Sequence, residues 1–163
     1  MIQRIQSVLF LIAAICFALA CFVPVGTITT PDAYYVVTPW ALKVNIPNGE
    51  VVYRTYFIGL TQIILTAISF IAIFLYKNRP AQSKLCIAAI FINFVLILLM
   101  MYVYPTMVFD KLPQTAGAEM QYYEKGQLPW EVFLSIIPLV CLYFANKFII
   151  KDEKKVRASD RLR

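Results

Sequence analysis

The sequence contains no histidine and few charged residues. Only 15% of its 163 residues are charged, whereas about a quarter of the residues are charged in an average soluble domain. Without histidine there is no Ser-His-Asp triad, no zinc or haem site ligated by histidine and no proton relay through imidazole. The chain is instead 61% hydrophobic, with a mean hydropathy of +0.71. This composition excludes a water-soluble globular domain, a disordered tail and a nucleic-acid-binding arm.

The sequence also lacks the residue constellations of catalysis and metal binding. All four cysteines fall inside apolar stretches: Cys16, Cys21, Cys86 and Cys141. A thiol in such surroundings stays neutral and packs as a small apolar group. There is no CxxC pair, no phosphate-binding glycine loop and no GxSxG elbow. Three acids, Glu119, Glu124 and Glu131, fall in one predicted loop without a partner for acid–base work. We therefore expect a protein that is not an enzyme and that binds no cofactor or metal.

Four apolar stretches are long enough to cross a bilayer. They are Ile5–Val25, Tyr56–Tyr76, Leu85–Tyr104 and Val132–Ile150. A spanning helix needs about 20 mostly apolar residues, because the hydrocarbon core is roughly 30 Å thick and each residue rises about 1.5 Å. The fourth stretch holds one charge, Lys147 near its end, where the ammonium can reach the interface. The sequence thus predicts an all-α membrane protein, a four-transmembrane-helix bundle that forms a single domain over residues 1–163, with outer loops 26–55 and 105–131 and a cytoplasmic tail 151–163.

The basic residues predict the orientation of this bundle. One side collects 11 basic and three acidic residues, from Arg4, the connection 77–84 and the segment 147–163. The other side carries four basic and six acidic residues. Because cytoplasmic loops are enriched in Lys and Arg, we expect both termini on the cytoplasmic side of an inner membrane. The sequence pI of 9.2 then reflects topology and no affinity for nucleic acid.

The first apolar stretch also permits a second interpretation. Arg4, the apolar run and Ala18-Leu19-Ala20 before Cys21 resemble a cleaved signal peptide or a loose lipoprotein box. The run continues to Val25 and so reaches spanning length, which favours an uncleaved helix. Cleavage would leave the other three spans in the same orientation.

The first outer loop has the pattern of a small β-sheet. Tyr34–Thr38 is rich in β-prone residues, Leu42, Val44 and Ile46 alternate with polar residues, and Val51–Tyr53 follows. Pro47-Asn48-Gly49 supplies turn chemistry between the last two runs. We predict a hairpin completed by a third strand, because an isolated hairpin is marginal in water.

The second outer loop and the tail have weaker signals. Ala116–Lys125 has the composition of a short helix between structure-breaking residues. The tail from Lys151 is compatible with a helix that prolongs the fourth span. Its basic residues are expected to face anionic lipid headgroups, each gaining roughly 1 kcal/mol. They are Lys151, Lys154, Lys155, Arg157, Arg161 and Arg163.

Polar residues inside the apolar stretches are the natural candidates for function. We call five of them the polar seam: Gln62, Thr66, Ser69, Asn93 and Ser135. Amides and hydroxyls between membrane helices hydrogen-bond for about 0.6 to 2 kcal/mol, so one hypothesis is that the seam holds the bundle together. The other is that it lines a path for a small solute or ion. Proton or voltage coupling normally needs ionisable groups at depth, and the predicted spans place none there.

The two ends of the chain carry a family resemblance. The opening Met1-Ile2-Gln3-Arg4-Ile5-Gln6-Ser7 and the closing run from Asp152 to Arg163 resemble a family of small four-span bacterial membrane proteins. That family is known only as a domain of unknown function. The resemblance implies a bacterial inner-membrane protein with an uncleaved first helix, and it implies no activity, substrate or site residues.

Two functions are compatible with these observations. The first is a non-enzymatic scaffold or accessory subunit of an envelope complex, which presents the outer sheet to a membrane-protein partner or to a second copy of the chain. The second is a small transporter or channel component that uses the polar seam between helices.

Overall fold

Four helices and a small sheet make up the part of the chain that the computed structural model describes, residues 2–29, 34–44, 50–103, 106–107 and 130–161. The helices are α1 (Ile2–Ala20), α2 (Phe57–Phe74), α3 (Arg79–Leu98) and α4 (Trp130–Arg161). A 3₁₀ turn (Leu75–Lys77) follows α2, and a π turn (Leu99–Val103) follows α3. The predicted mostly helical fold is confirmed at this level.

Three of the helical segments are long and apolar enough to cross a membrane: Phe57–Lys77, Arg79–Val103 and Glu131–Val156. They contain the predicted second, third and fourth spans almost completely. The apolar part of α1, Ile5–Ala20, is shorter.

The predicted end of the first span at Val25 is wrong, because α1 ends at Ala20. Pro24 has no backbone N–H, and Gly26 disfavours a helix. The Val25 N–H donates instead to the Val37 carbonyl at 2.8 Å. The apolar residues after Ala20 therefore turn away from the helix axis and enter the sheet.

The sheet has four antiparallel strands in the order β1 (Gly26–Thr29), β2 (Tyr34–Val37), β3 (Ala41–Val44) and β4 (Val51–Arg54). The three predicted strands are confirmed, and β1 is additional. Its register sets Ile28 opposite Tyr35, so that both side chains are buried. The pairing of β3 with β4 shifts register between Leu42 and Lys43. The predicted turn Pro47-Asn48-Gly49 lies outside the described residues, as does the predicted helix Ala116–Lys125.

The turn from α2 to α3 is short and capped. The Asn78 side chain accepts a hydrogen bond from the Ala81 N–H at 3.3 Å, and Pro80 occupies the first turn of α3. Both features favour a helix start. This tight connection makes α2 and α3 antiparallel neighbours.

The helices close into a ring in which α1 packs on α2 and α4, and α3 packs on the same two helices. This arrangement sets α2 and α4 on one diagonal of the bundle. The buried apolar residues form one cluster that includes Phe10, Leu65 and Leu142 of the helices and Ile28 and Leu42 of the sheet. The sheet therefore shares its core with one end of the bundle, which we call the sheet end; the connection 75–78 lies at the other end.

The start of α4 corrects the prediction for Glu131. This residue was expected in the second outer loop, but it belongs to the first turn of α4 and is fully buried. The predicted helical tail is confirmed, since α4 continues to Arg161.

Candidate functional site

Four of the five residues of the polar seam lie in the bundle interior. Gln62, Ser69, Asn93 and Ser135 have no exposed surface. Thr66 is only half-buried, and its hydroxyl donates to the Gln62 carbonyl of its own helix at 2.8 Å. Four residues of the seam therefore lie between the helices and Thr66 lies beside them, while the role of the seam stays a prediction.

A short side-chain hydrogen bond in the interior joins Gln62 to Glu131. Gln62 Nε2 donates to Glu131 Oε1 at 2.6 Å, and both side chains have 0% exposure. Because α2 and α4 stand on a diagonal, this hydrogen bond crosses the centre of the bundle. It lies at the sheet end, since Glu131 is the second residue of α4 and Gln62 the sixth of α2.

Sequence reasoning missed Glu131, although a signal was present. Besides Val132, the buried positions of α4 recur every three or four residues: Glu131, Ser135, Pro138, Leu142, Ala145 and Ile149. This is the period of a helix face that packs against a neighbour. Extension of the face by one turn before Ser135 leads directly to Glu131.

Asn93 joins α3 to the same part of α4. Its Nδ2 donates to the backbone carbonyl of Ser135 at 2.8 Å. Pro138, which has no N–H, leaves the carbonyl of Leu134 without its usual helix donor and disturbs the neighbouring backbone. The Asn93 amide therefore supplies a donor to the carbonyl next to the one that Pro138 leaves without its helix donor.

Further hydrogen bonds between α3 and α4 continue away from the sheet end. Cys86 Sγ donates to the Leu142 carbonyl at 3.1 Å, and Ser83 Oγ donates to Asn146 Oδ1 at 2.7 Å. Arg79 forms an ion pair with Asp152 at 3.3 Å. None of these pairs was predicted, because a single sequence does not show which helices are neighbours.

Several buried polar atoms of the interior have no hydrogen-bond partner within the described part of the chain. They are Gln6 Nε2, Gln62 Oε1, Ser69 Oγ, Asn93 Oδ1, Glu131 Oε2 and Ser135 Oγ. Buried polar atoms in folded proteins are nearly always paired with protein or water. Four of these atoms are oxygens of Gln62, Glu131, Asn93 and Ser135. The first two residues are joined by one hydrogen bond, and the last two by another. We call those four residues the interior cluster.

The chemistry available to the interior cluster is that of oxygen ligands and one acid. Carboxyl, amide and hydroxyl oxygens can accept hydrogen bonds or surround a hard cation. A group of three or more His, Cys, Asp or Glu side chains suited to a metal ion is not found among the described residues. Cys86, which donates to a carbonyl, is not arranged as a nucleophile beside a base.

An open apolar groove of about 540 Å³ lies beside the interior at the sheet end, between α1 and α2. It is lined by Ala18, Cys21, Phe22, Trp40, Ile63, Thr66, Ala67 and Phe70. Thr66, predicted to belong to the seam, is the hydroxyl residue of this lining. Cys21 also lies close enough to Glu131 for the two groups to interact electrostatically, so it stands between the groove and the interior cluster.

Trp40 covers the end of this groove and fastens the sheet to the helices. Its Nε1 donates to the Cys21 carbonyl at 2.8 Å. Its ring lies against Gly59, where an added Cβ would come within 2.7–2.8 Å of three ring atoms. Glycine is therefore required at residue 59 for the ring to reach the backbone of α2.

The predicted lipid-facing tail is exposed where its side chains are described. Lys151, Lys154 and Lys155 point to solvent on α4, while the side chains of Arg157, Arg161 and Arg163 lie outside the described residues. Lipid binding by these residues stays a prediction.

Comparison with known proteins adds a family match. A family model described as a domain of unknown function (DUF4293) matches residues 2–162. No curated protein matches the chain.

Proposed function

The chain belongs to the DUF4293 family, a domain of unknown function, and we propose that it is an integral membrane protein that serves as a non-enzymatic scaffold. In this proposal four helices cross a bacterial inner membrane, both termini are cytoplasmic, and the sheet is presented on the outer side to a protein partner.

The outward faces of the helices support the membrane location. Large apolar side chains are exposed on all four helices, among them Leu11, Leu60, Phe91, Phe94 and Phe144. Soluble proteins rarely expose contiguous apolar surfaces of this extent, whereas lipid tails cover such faces. The apolar residues Cys21–Val25 lengthen the hydrophobic stretch of α1, which by itself is short.

The distribution of charge supports the orientation. The Arg79–Asp152 ion pair joins the α2–α3 connection to the tail end of α4, so their basic residues lie at one end of the bundle. The sheet lies at the other end. Positive charge at one end favours its retention in the cytoplasm.

The fastening of the sheet is the observation that carries the scaffold function. Besides the Trp40 contacts, the Thr55 N–H donates to the Trp40 carbonyl at 2.8 Å and the Gly59 N–H donates to the Pro39 carbonyl at 3.2 Å. The turn between β2 and β3 is thus bonded to the start of α2. A sheet held in this way presents its surface at a fixed position above the membrane.

Strand β4 is the candidate contact surface for the partner. It is an edge strand, and Val51 and Val52 are each about 40% exposed. Edge strands offer unpaired backbone groups to which an extended segment of a partner can add. Arg54, also exposed, hydrogen-bonds Tyr56 at 3.1 Å.

Site-specific photo-crosslinking in intact cells tests the scaffold function. A photoreactive residue at Val52 should give a protein adduct of one defined mass, whereas the same residue at Leu60, on a lipid-facing helix surface, should not. Trp40→Ala should reduce the Val52 adduct at least fivefold without changing the amount of protein in the membrane. Equal adducts from both positions, or an adduct that Trp40→Ala leaves unchanged, would contradict the proposal.

A second candidate function, passage of a small solute or ion along the interior, is favoured by the unpartnered polar atoms there. It requires solute flux in liposomes that contain the protein, with loss of flux in Gln62→Leu and Asn93→Leu. Protein-free liposomes and the Leu60→Ala variant, which changes an outward-facing side chain of α2, are the matched controls. The absence of flux above that of empty liposomes would remove this candidate.

A further inference from the structure

Among the described residues, no cationic side chain pairs with the buried carboxyl of Glu131. Its exposure is 0%, and within this part of the chain it accepts a hydrogen bond from the neutral amide of Gln62. The ion pair Arg79–Asp152 lies at the opposite end of the bundle. An ionised carboxylate in such a place would cost several kcal/mol, because neutral amides replace only part of its lost hydration.

The described side chains around Glu131 are thiol, amide and hydroxyl groups rather than cationic groups. The turn directly after α1 contributes the Cys21 thiol, which is a titratable group that interacts with Glu131 in the described part of the chain. Helix α2 contributes Gln62, and α3 contributes Asn93 through its bond to Ser135. Ser135 itself lies one turn after Glu131 on α4.

A proton would satisfy this arrangement directly. Protonation turns Glu131 Oε2 from an unpartnered acceptor into an O–H donor. Unpartnered acceptor oxygens stand on Gln62, Asn93 and Ser135, the other members of the interior cluster. One bound proton thus removes the buried charge and makes Oε2 a donor within a cluster whose other unpartnered oxygens can accept.

We propose that the interior cluster is a proton-binding site, with Glu131 as the residue that holds the proton. The inference goes beyond the scaffold function, and it holds whether or not a solute crosses the bundle. Because Glu131 lies in the first turn of α4, the site exchanges its proton with water at the sheet end. Release leaves a charge that must be hydrated, so the diagonal contact between α2 and α4 opens at that end.

Labelling with dicyclohexylcarbodiimide tests the site, because this apolar reagent reacts with protonated carboxyl groups in apolar surroundings. The groove beside Cys21 gives such a reagent a route towards Glu131. With the purified protein in detergent, peptide mass analysis should locate the adduct at Glu131. The Glu131→Gln variant should show at least tenfold less label, and Glu153→Gln, which removes a tail carboxyl, should be labelled as the wild type is.

The pH dependence of the labelling distinguishes a site that binds a proton from a buried acid that does not titrate and from a site that binds a metal cation. Labelling of the wild type should fall at least tenfold between pH 5 and pH 9. It should not change when sodium or potassium chloride is added at fixed pH. Labelling that is constant with pH, or that alkali cations suppress, overturns the proposal.

A stability measurement keeps the test independent of the reagent. The folded chain holds a proton that the unfolded chain releases wherever free glutamate is ionised, so the stability of the wild type falls as pH rises. Relative to Glu131→Gln, whose amide does not titrate, the melting temperature of the wild type should drop by about 3 °C or more between pH 5 and pH 8. An equal response of both proteins to pH overturns the proposal, whatever the labelling.

Discussion

Gln62 and Ser69 lie two turns apart on the buried face of α2 and differ in one respect. Both have no exposed surface, but Gln62 donates to Glu131 whereas Ser69 Oγ has no partner. Removal of a paired group leaves its buried partner unsatisfied, which costs about 1–3 kcal/mol, while removal of an unpaired group carries no such penalty. The two residues therefore allow a matched comparison of a bonded and an unbonded polar side chain.

Gln62→Leu should lower the free energy of unfolding by about 1–3 kcal/mol. The physical reason is that Glu131 then loses its hydrogen-bond donor inside the bundle. Ser69→Ala is the control and should change stability by less than about 0.5 kcal/mol, since it removes a hydroxyl that has no partner. Reversible unfolding in mixed micelles measures both, and equal losses would show that the Gln62–Glu131 bond contributes nothing specific.

Thr66 and Glu131 show where residue-level prediction failed. Consecutive residues of a helix are rotated by about 100°, so Thr66 stands about 40° from Gln62 and about 60° from Ser69. That rotation suffices to make it half-buried, with its hydroxyl bonded to its own helix.

Glu131 was missed because a carboxyl beside Pro129 and Trp130 has the composition of a loop. Its burial depends on contacts with other helices.

At the scale of elements, side-chain contacts join α3 to α4 at four levels. The bonded pairs run in opposite chain directions, from Asn93–Ser135 near the sheet end through Cys86–Leu142 to Ser83–Asn146 and Arg79–Asp152. This order establishes antiparallel packing with one register. Asn93 and Cys86 of α3 donate to backbone carbonyls of α4. These two contacts therefore depend on the position of α4 more than on the side chains of Ser135 and Leu142.

Paired cysteines test this register. In a chain whose four native cysteines are replaced by Ala, Ser83→Cys with Asn146→Cys should form a disulfide on mild oxidation, because the two side chains touch at 2.7 Å. Lys84→Cys with Asn146→Cys is the control, since Lys84 is exposed on α3. Gel mobility before and after reduction reports the link. Equal linking of both pairs would contradict the packing of α3 on α4.

The whole molecule has two different ends, with the sheet at one and the basic connection and tail at the other. The composition of the helices predicts insertion, and the charge difference between the ends predicts direction. The positions of the sheet and the tail at opposite ends are consistent with the predicted orientation.

Reporter fusions test the orientation of the whole chain. Fusions after Arg163 and within Lys77–Lys84 should report the cytoplasm, and fusions near Asn48 and Gly117 should report the outer side. The expected result follows from the excess of basic residues at the first two positions. A chain in which Lys77, Arg79 and Lys84 are replaced by Gln should show a mixed orientation. A cytoplasmic signal at Asn48 in the wild type would reverse the proposed topology.

The sequence by itself predicted the apolar helices α2, α3 and α4 and the strands β2 to β4, and it singled out Gln62, Ser69, Asn93 and Ser135 as polar residues within those helices. These features depend on local composition and on the period at which apolar and polar residues recur, and both are visible in one chain. Only the tertiary structure decided the end of α1 at Ala20, the bond of Gln62 to Glu131, the register of α3 on α4 and the fit of Trp40 against Gly59. Each of these depends on which distant segments meet, because a buried polar or aromatic group takes whatever partner the packing brings within reach.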